Sequence, residues 1–170
     1  MQTYGAAEAR LGRPIEVVRS ARRKRTVGAA LRNGVLRVSV PSWMSAEEER
    51  TWVEKMSARF ARAQDAERVD LAERADRLAA RHGFPRPAEI RWADNMTTRW
   101  GSCTPATATI RISTRLAAFP DWVLDYVIVH ELAHLVVSGH GPRFDALVAR
   151  YPRSERAIGF LIAKSDEPVD

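Results

Sequence analysis

The chain has 170 residues, 45% hydrophobic and 28% charged, a balance that suits one globular domain with its own core and excludes a disordered chain. No apolar stretch reaches the ~18 residues a membrane span needs, and the first residues carry no signal-like apolar run, so a cytoplasmic setting is expected. The net charge of +6 is local: residues 1–37 hold nine Lys or Arg against Glu8 and Glu16, most densely at Arg22, Arg23, Lys24 and Arg25.

Residues 1–13 have no clear period and read as a loose leader. Ile15 to Arg19, Thr26 to Leu31 and Val35 to Val40 are short and rich in apolar and β-branched residues, and Asn33-Gly34 gives a turn signal between the last two. They predict a small antiparallel sheet, a hairpin region over 14–41. Ser45 followed by Glu48 reads as a capping box opening a helix through Trp52, Val53, Met56 and Phe60, with a break near Gln64 and Asp65. Leu71, Ala75, Leu78 and Ala79 make the next apolar stripe, which stops at His82-Gly83, so 45–82 is helical. His82 is expected to cap the end of that helix.

Glu89 to Ala93, Arg99 to Cys103 and Ala108 to Ser113 look extended, the last alternating Ile110 and Ile112 with polar neighbours. Pro120 and Asp121 open a helix running from Trp122 to Val137, Ser138-Gly139 breaks it, and two shorter helices start near Pro142 and Ser154. Strands mixed with helices without strict alternation predict an α+β fold. The lone Cys103 has no partner for a disulfide or a cysteine-based metal site and reads as a small buried side chain.

The chemistry is concentrated in His130-Glu131-Leu132-Ala133-His134, an H-E-x-x-H segment, with His140 six residues further on. Residues four apart on a helix project from one face, so His130 and His134 can reach the same ion. Ser138-Gly139 can turn the chain so that His140 returns as a third ligand. Zinc takes such imidazoles and, in catalytic sites, keeps a fourth position for water. Glu131 would stand beside that water as general base, and one Zn2+ per chain is expected. Ordinary histidines on an amphipathic helix are the competing explanation. It is weak because Ile128, Val129, Leu132, Leu135 and Val136 make the surroundings apolar, where unpartnered polar groups are expensive.

Arg99-Trp100-Gly101-Ser102-Cys103, Pro120, Tyr126 to His134, His140 and Phe144 together resemble the YgjP-like metallopeptidase family, more distantly the SprT-like and other zincin proteases. The resemblance is densest from about Ile90 to Tyr151, consistent with a catalytic core over 88–151. It implies a zincin-like α+β fold, with a second small mixed sheet packed on the H-E-x-x-H helix. It also implies ligands His130, His134 and His140 and catalytic Glu131. A peptide-binding strand above the helix is implied too, and Ala108 to Ser113, with Ile110, is the candidate. The third histidine has metzincin spacing, but Val137 stands at the glycine position and no methionine follows Met96. Relatives often carry a tryptophan where Asp145 stands. Trp100, Gly101 and Ser102 are either cleft wall or a structural turn. Tyr126, one turn before His130, is either a substrate contact or core, and Asp125 and Asp145 are possible acceptors for an imidazole N–H.

The expected activity is zinc-dependent hydrolysis of extended or unfolded polypeptide. Two alternatives stand beside it. One is a metal-dependent nucleotide pyrophosphatase or phosphohydrolase; the other is a protease recruited to nucleic acid by Arg22, Arg23, Lys24 and Arg25, whose bland reading is a solvated basic edge.

Overall fold

The computed structural model describes residues 4–165. Its class is α+β, with six helices and two three-stranded mixed sheets among those residues. The chain divides after Gln64 into two compact units.

The first unit opens with a helix, α1 (Gly5–Leu11), where a loose leader was expected. The helix is too short to display a period, but it buries Ala7 and Leu11 in this unit's core, and Glu8 accepts a hydrogen bond from the Ile15 N–H at 2.9 Å. Three strands follow, β1 (Ile15–Ser20), β2 (Gly28–Arg32) and β3 (Val35–Pro41). The β2–β3 hairpin turns at Asn33-Gly34, with φ of 49° and 80°, the left-handed pair such tight turns require.

The sheet is mixed, not antiparallel throughout. Its order is β1-β3-β2, and β1 runs parallel to β3. β3 takes the centre, with Leu36, Val38 and Val40 fully buried on one face, and the seven-residue link 21–27 is long enough to step past its end. Arg22 to Arg25 therefore lie on this crossover link and not in a hairpin. Buried Glu49 is held by Arg19 at 2.7 Å and by the Tyr4 hydroxyl, whose pKa burial and that hydrogen bond push up to about 12.

Helix α2 (Ala46–Glu67) starts at the expected capping box: Ser45 N–H donates to Glu48 Oε2 at 3.0 Å and Glu48 N–H to Ser45 Oγ at 3.2 Å. It runs to Glu67 without the predicted break at Gln64. The chain turns instead just before Asp70, which caps α3 (Leu71–His82) by accepting from Glu73 N–H at 2.9 Å. His82 is the last residue of α3, but its carbonyl and that of Gly83 are satisfied by Arg150.

In the second unit β4 (Glu89–Ala93), β5 (Gly101–Thr104) and β6 (Thr109–Ser113) form a sheet of order β4-β6-β5, β4 parallel and β5 antiparallel to β6. Ile110 and Ile112 of the central strand face α4 (Asp121–Ala133). Helix α4 is apolar nearly all round because this sheet, α3, α5 (Pro142–Val148) and α6 (Ser154–Ser165) surround it. Arg74 of α3 ties its start, meeting Asp121 at 3.0 Å and Asp125 at 2.6 Å. Among the described residues no helix is long and apolar enough to cross a membrane.

Candidate metal centre

Helix α4 stops earlier than the apolar pattern suggested. It ends at Ala133, and His134 stands at its C-cap, followed by turns closed by Leu135 N–H on Leu132 and Val136 N–H on Ala133. Gly139, at φ 76°, then reverses the chain so that His140 comes back over the helix end. The three imidazoles meet there. Their available ligand nitrogens all lie within 4.8 Å of one another, and Nε2 of His130 and of His140 are 3.3 Å apart. Two nitrogens each ~2.0–2.1 Å from a tetrahedral zinc are about 3.3 Å apart, so this pair already has the span of two ligands.

Phe144 of α5 packs against all three rings, stacked on His134 at 4.5 Å and edge-on to His130 and His140 at 4.9 and 4.6 Å. Nδ1 of His134 faces the Val137 carbonyl at 3.4 Å, which leaves Nε2 for the ion. Burial, then His134 and His140, push the His130 pKa down to about 4, and burial lowers that of His134. Both rings are therefore neutral, as metal ligands must be. The donor set suits a transition metal.

Glu131 is 5% exposed and reaches toward β5. Burial raises its pKa to about 7, against the lowering effect of Arg99. That is the range of a general base working near neutrality. A Cβ at Gly101 would lie 2.5 Å from Glu131 Oε1, 2.8 Å from Cγ and 2.9 Å from Cδ, so glycine there leaves the carboxylate its place. Thirty residues separate the two, and no local pattern links them. Arg99, whose charge lowers the pKa of this carboxylate, was named in the sequence only as part of the Arg99 to Cys103 motif, without this role.

A cavity of about 660 Å³ opens over Glu131 and the histidines. Arg99 to Cys103 form one wall, Tyr126 and Val127 the floor, and Ile158, Leu161 and Ile162 of α6 an apolar side that the sequence reading did not foresee. Tyr126 lines it, edge-on to His130 at 6.0 Å between ring centroids. Trp100 lines it too while packing against Phe119 and under Arg115, so the two readings of that residue coexist. Gly101 and Ser102 belong to strand β5 itself. Cys103 also borders the cavity; burial and the Glu131 charge raise its pKa to about 11, keeping it a thiol.

The expected peptide-binding strand is corrected by the topology. Ala108 to Ser113 cannot take an added strand, because β6 is paired on both sides, and Ile110 is 0% exposed. A period of two reports one buried face and says nothing of which edges are paired, which is how a central strand passed for an edge. The edge beside the cavity is β5. Asp125 is also removed from the candidate acceptors, since Arg74 holds it. Arg22, Arg23, Lys24 and Arg25 belong to the other unit.

Two solved structures are similar to the chain, both at 20% identity and a TM-score of 0.49. They are the metallopeptidase zymogens of Pyrococcus abyssi abylysin, matched over 54% of this chain and 91% of that one, and of Methanocaldococcus jannaschii jannalysin, over 56% and 97%. No curated protein is significantly similar. The model of the YgjP-like metallopeptidase domain matches residues 44–156, a span that contains all three histidines and Glu131. The chain belongs to the YgjP-like metallopeptidase family and is a metal-dependent hydrolase of the peptidase kind.

Proposed function

We propose that the protein is a zinc peptidase, with one Zn2+ on His130, His134 and His140, that hydrolyses extended segments of unfolded polypeptide. The observation that carries this reading is the convergence of three imidazoles beside a buried carboxylate in a cavity bordered by a sheet edge. Zinc, when bound, supplies Lewis acidity for the scissile carbonyl and lowers the pKa of water at the site.

The side chains divide the remaining work. Glu131 takes a proton from the attacking water and returns it to the leaving amine. Burial favours its protonated form, which supports taking up the proton before it is returned. Strand β5 offers its outer edge to the substrate backbone, a mode of binding that requires an extended segment and little sequence. Tyr126, Val127, Ile158 and Leu161 receive apolar side chains, the kind that folded proteins hide and unfolded ones display. The thiol of Cys103, unpaired and beside the cleft, suits the reducing cytoplasm.

Glu131→Gln removes the base while leaving the imidazoles in place. The variant is expected to retain its metal and lose hydrolysis of unfolded casein by a factor of at least about 100. Casein turnover at the wild-type rate would overturn the assignment of Glu131. A panel of nucleoside triphosphates run alongside separates a peptidase from a phosphohydrolase.

A further inference from the structure

We propose that the surface formed by Trp43 and the β1–β2 link binds single-stranded nucleic acid. Trp43 is 62% exposed, more than any other large apolar side chain among the described residues. It is nevertheless held in place. Its Nε1–H donates to the Lys24 carbonyl at 3.1 Å, and the carbonyls on either side of it, of Ser42 and Met44, accept from Arg19 Nη1 at 3.1 and 2.8 Å. Arg19 is in turn fixed by buried Glu49 at 2.7 Å. The indole is thus presented to solvent from a rigid base with its polar edge already satisfied, leaving ring surface to bind something.

The link that anchors the ring also supplies the charge. Arg22, Lys24 and Arg25 are exposed, and none of the three is ion-paired with a described residue. Arg23 differs: it donates to Thr26 Oγ1 at 3.3 Å and lies against Gly28, bracing the link. One flat aromatic face beside three unpaired cations matches the repeating unit of a single strand, a base to stack and phosphates to neutralise. A duplex hides its base faces. An acidic peptide would use the cations and leave the ring idle. An anionic bilayer would use both, but the indole N–H it would draw to the headgroup level is engaged with Lys24.

The test is fluorescence anisotropy of a labelled oligothymidylate about twenty nucleotides long against the full chain, over a series of salt concentrations. The slope of log affinity on log salt is expected near −2, the value for about three phosphate contacts on a single strand. Trp43→Ala should weaken binding by about 5-fold or more and Trp43→Phe by less. Replacing Arg22, Lys24 and Arg25 together by alanine should flatten the salt slope. Unchanged affinity in Trp43→Ala, with unchanged slope in the triple variant, would overturn the proposal. So would tighter binding to the matching duplex, to polyglutamate or to vesicles rich in anionic lipid. Thermal melts of each variant show whether a loss of binding is a loss of fold, and Trp43→Phe keeps the ring as a second measure if Trp43→Ala is unstable.

Discussion

Alanine at Gly101 adds one methyl group at the point where Glu131 rests on β5. The methyl would sit 2.5 Å from Oε1, whereas ordinary contact begins near 3.4 Å, so the carboxylate must withdraw by about 1 Å. Glycine is paired with Ile112 in the sheet, so the backbone is held and the side chain gives way. A displacement of about 1 Å at a catalytic group lowers rate by about 100-fold, or about 3 kcal/mol of barrier. We expect Gly101→Ala to lose about that factor in kcat on a quenched casein substrate, with KM and metal content little changed, because the three atoms nearest the added methyl all belong to Glu131. In a Glu131→Gln background the same substitution should cost little further activity, since the side chain it displaces is no longer a base. Near-wild-type kcat in Gly101→Ala, or an equal additional loss in the Glu131→Gln background, would refute the contact as the reason for glycine.

Opposed ionisations predict how the metal-free protein responds to pH. His130 folds neutral, with its pKa lowered from 6.5 to about 4, so stability rises as pH climbs across that window; Glu131 has its pKa raised from 4.5 to about 7, so stability falls from about 4.5 to about 7. Each amounts to about 3 kcal/mol. Chelator-treated Glu131→Gln should therefore gain about that much on chelator-treated wild type between pH 4.5 and pH 7.5 in urea denaturation; parallel curves would contradict it. Ser45→Ala should lower stability by about 1 kcal/mol through loss of the capping box, read in the same assay. Ile110→Ala should cost about 2–5 kcal/mol as a core truncation yet leave KM for peptides near wild type, because β6 is interior. A specific rise in KM would return that strand to the substrate site.

The H-E-x-x-H pair was legible because two residues four apart share a helix face whatever surrounds them, and the capping box at Ser45 because it is closed within four residues. The return of His140 depended on a turn that Ser138-Gly139 advertises. What escaped the sequence was non-local. Gly101 meets Glu131 across thirty residues, and α6 supplies the apolar wall from beyond the motif. The parallel pairing of β1 with β3 depends on which strand is paired on both sides, a property of the assembled sheet. Helix α1 was missed for a different reason: seven residues with two buried positions are too few to establish a period.

The most direct test of the account is metal content by mass spectrometry on purified wild type and His134→Ala, with casein hydrolysis measured on the same samples. The account predicts about one zinc per wild-type chain with peptide cleavage, and loss of both in His134→Ala. Wild-type protein that binds no metal under zinc-replete conditions, or His134→Ala that keeps both metal and activity, would contradict it.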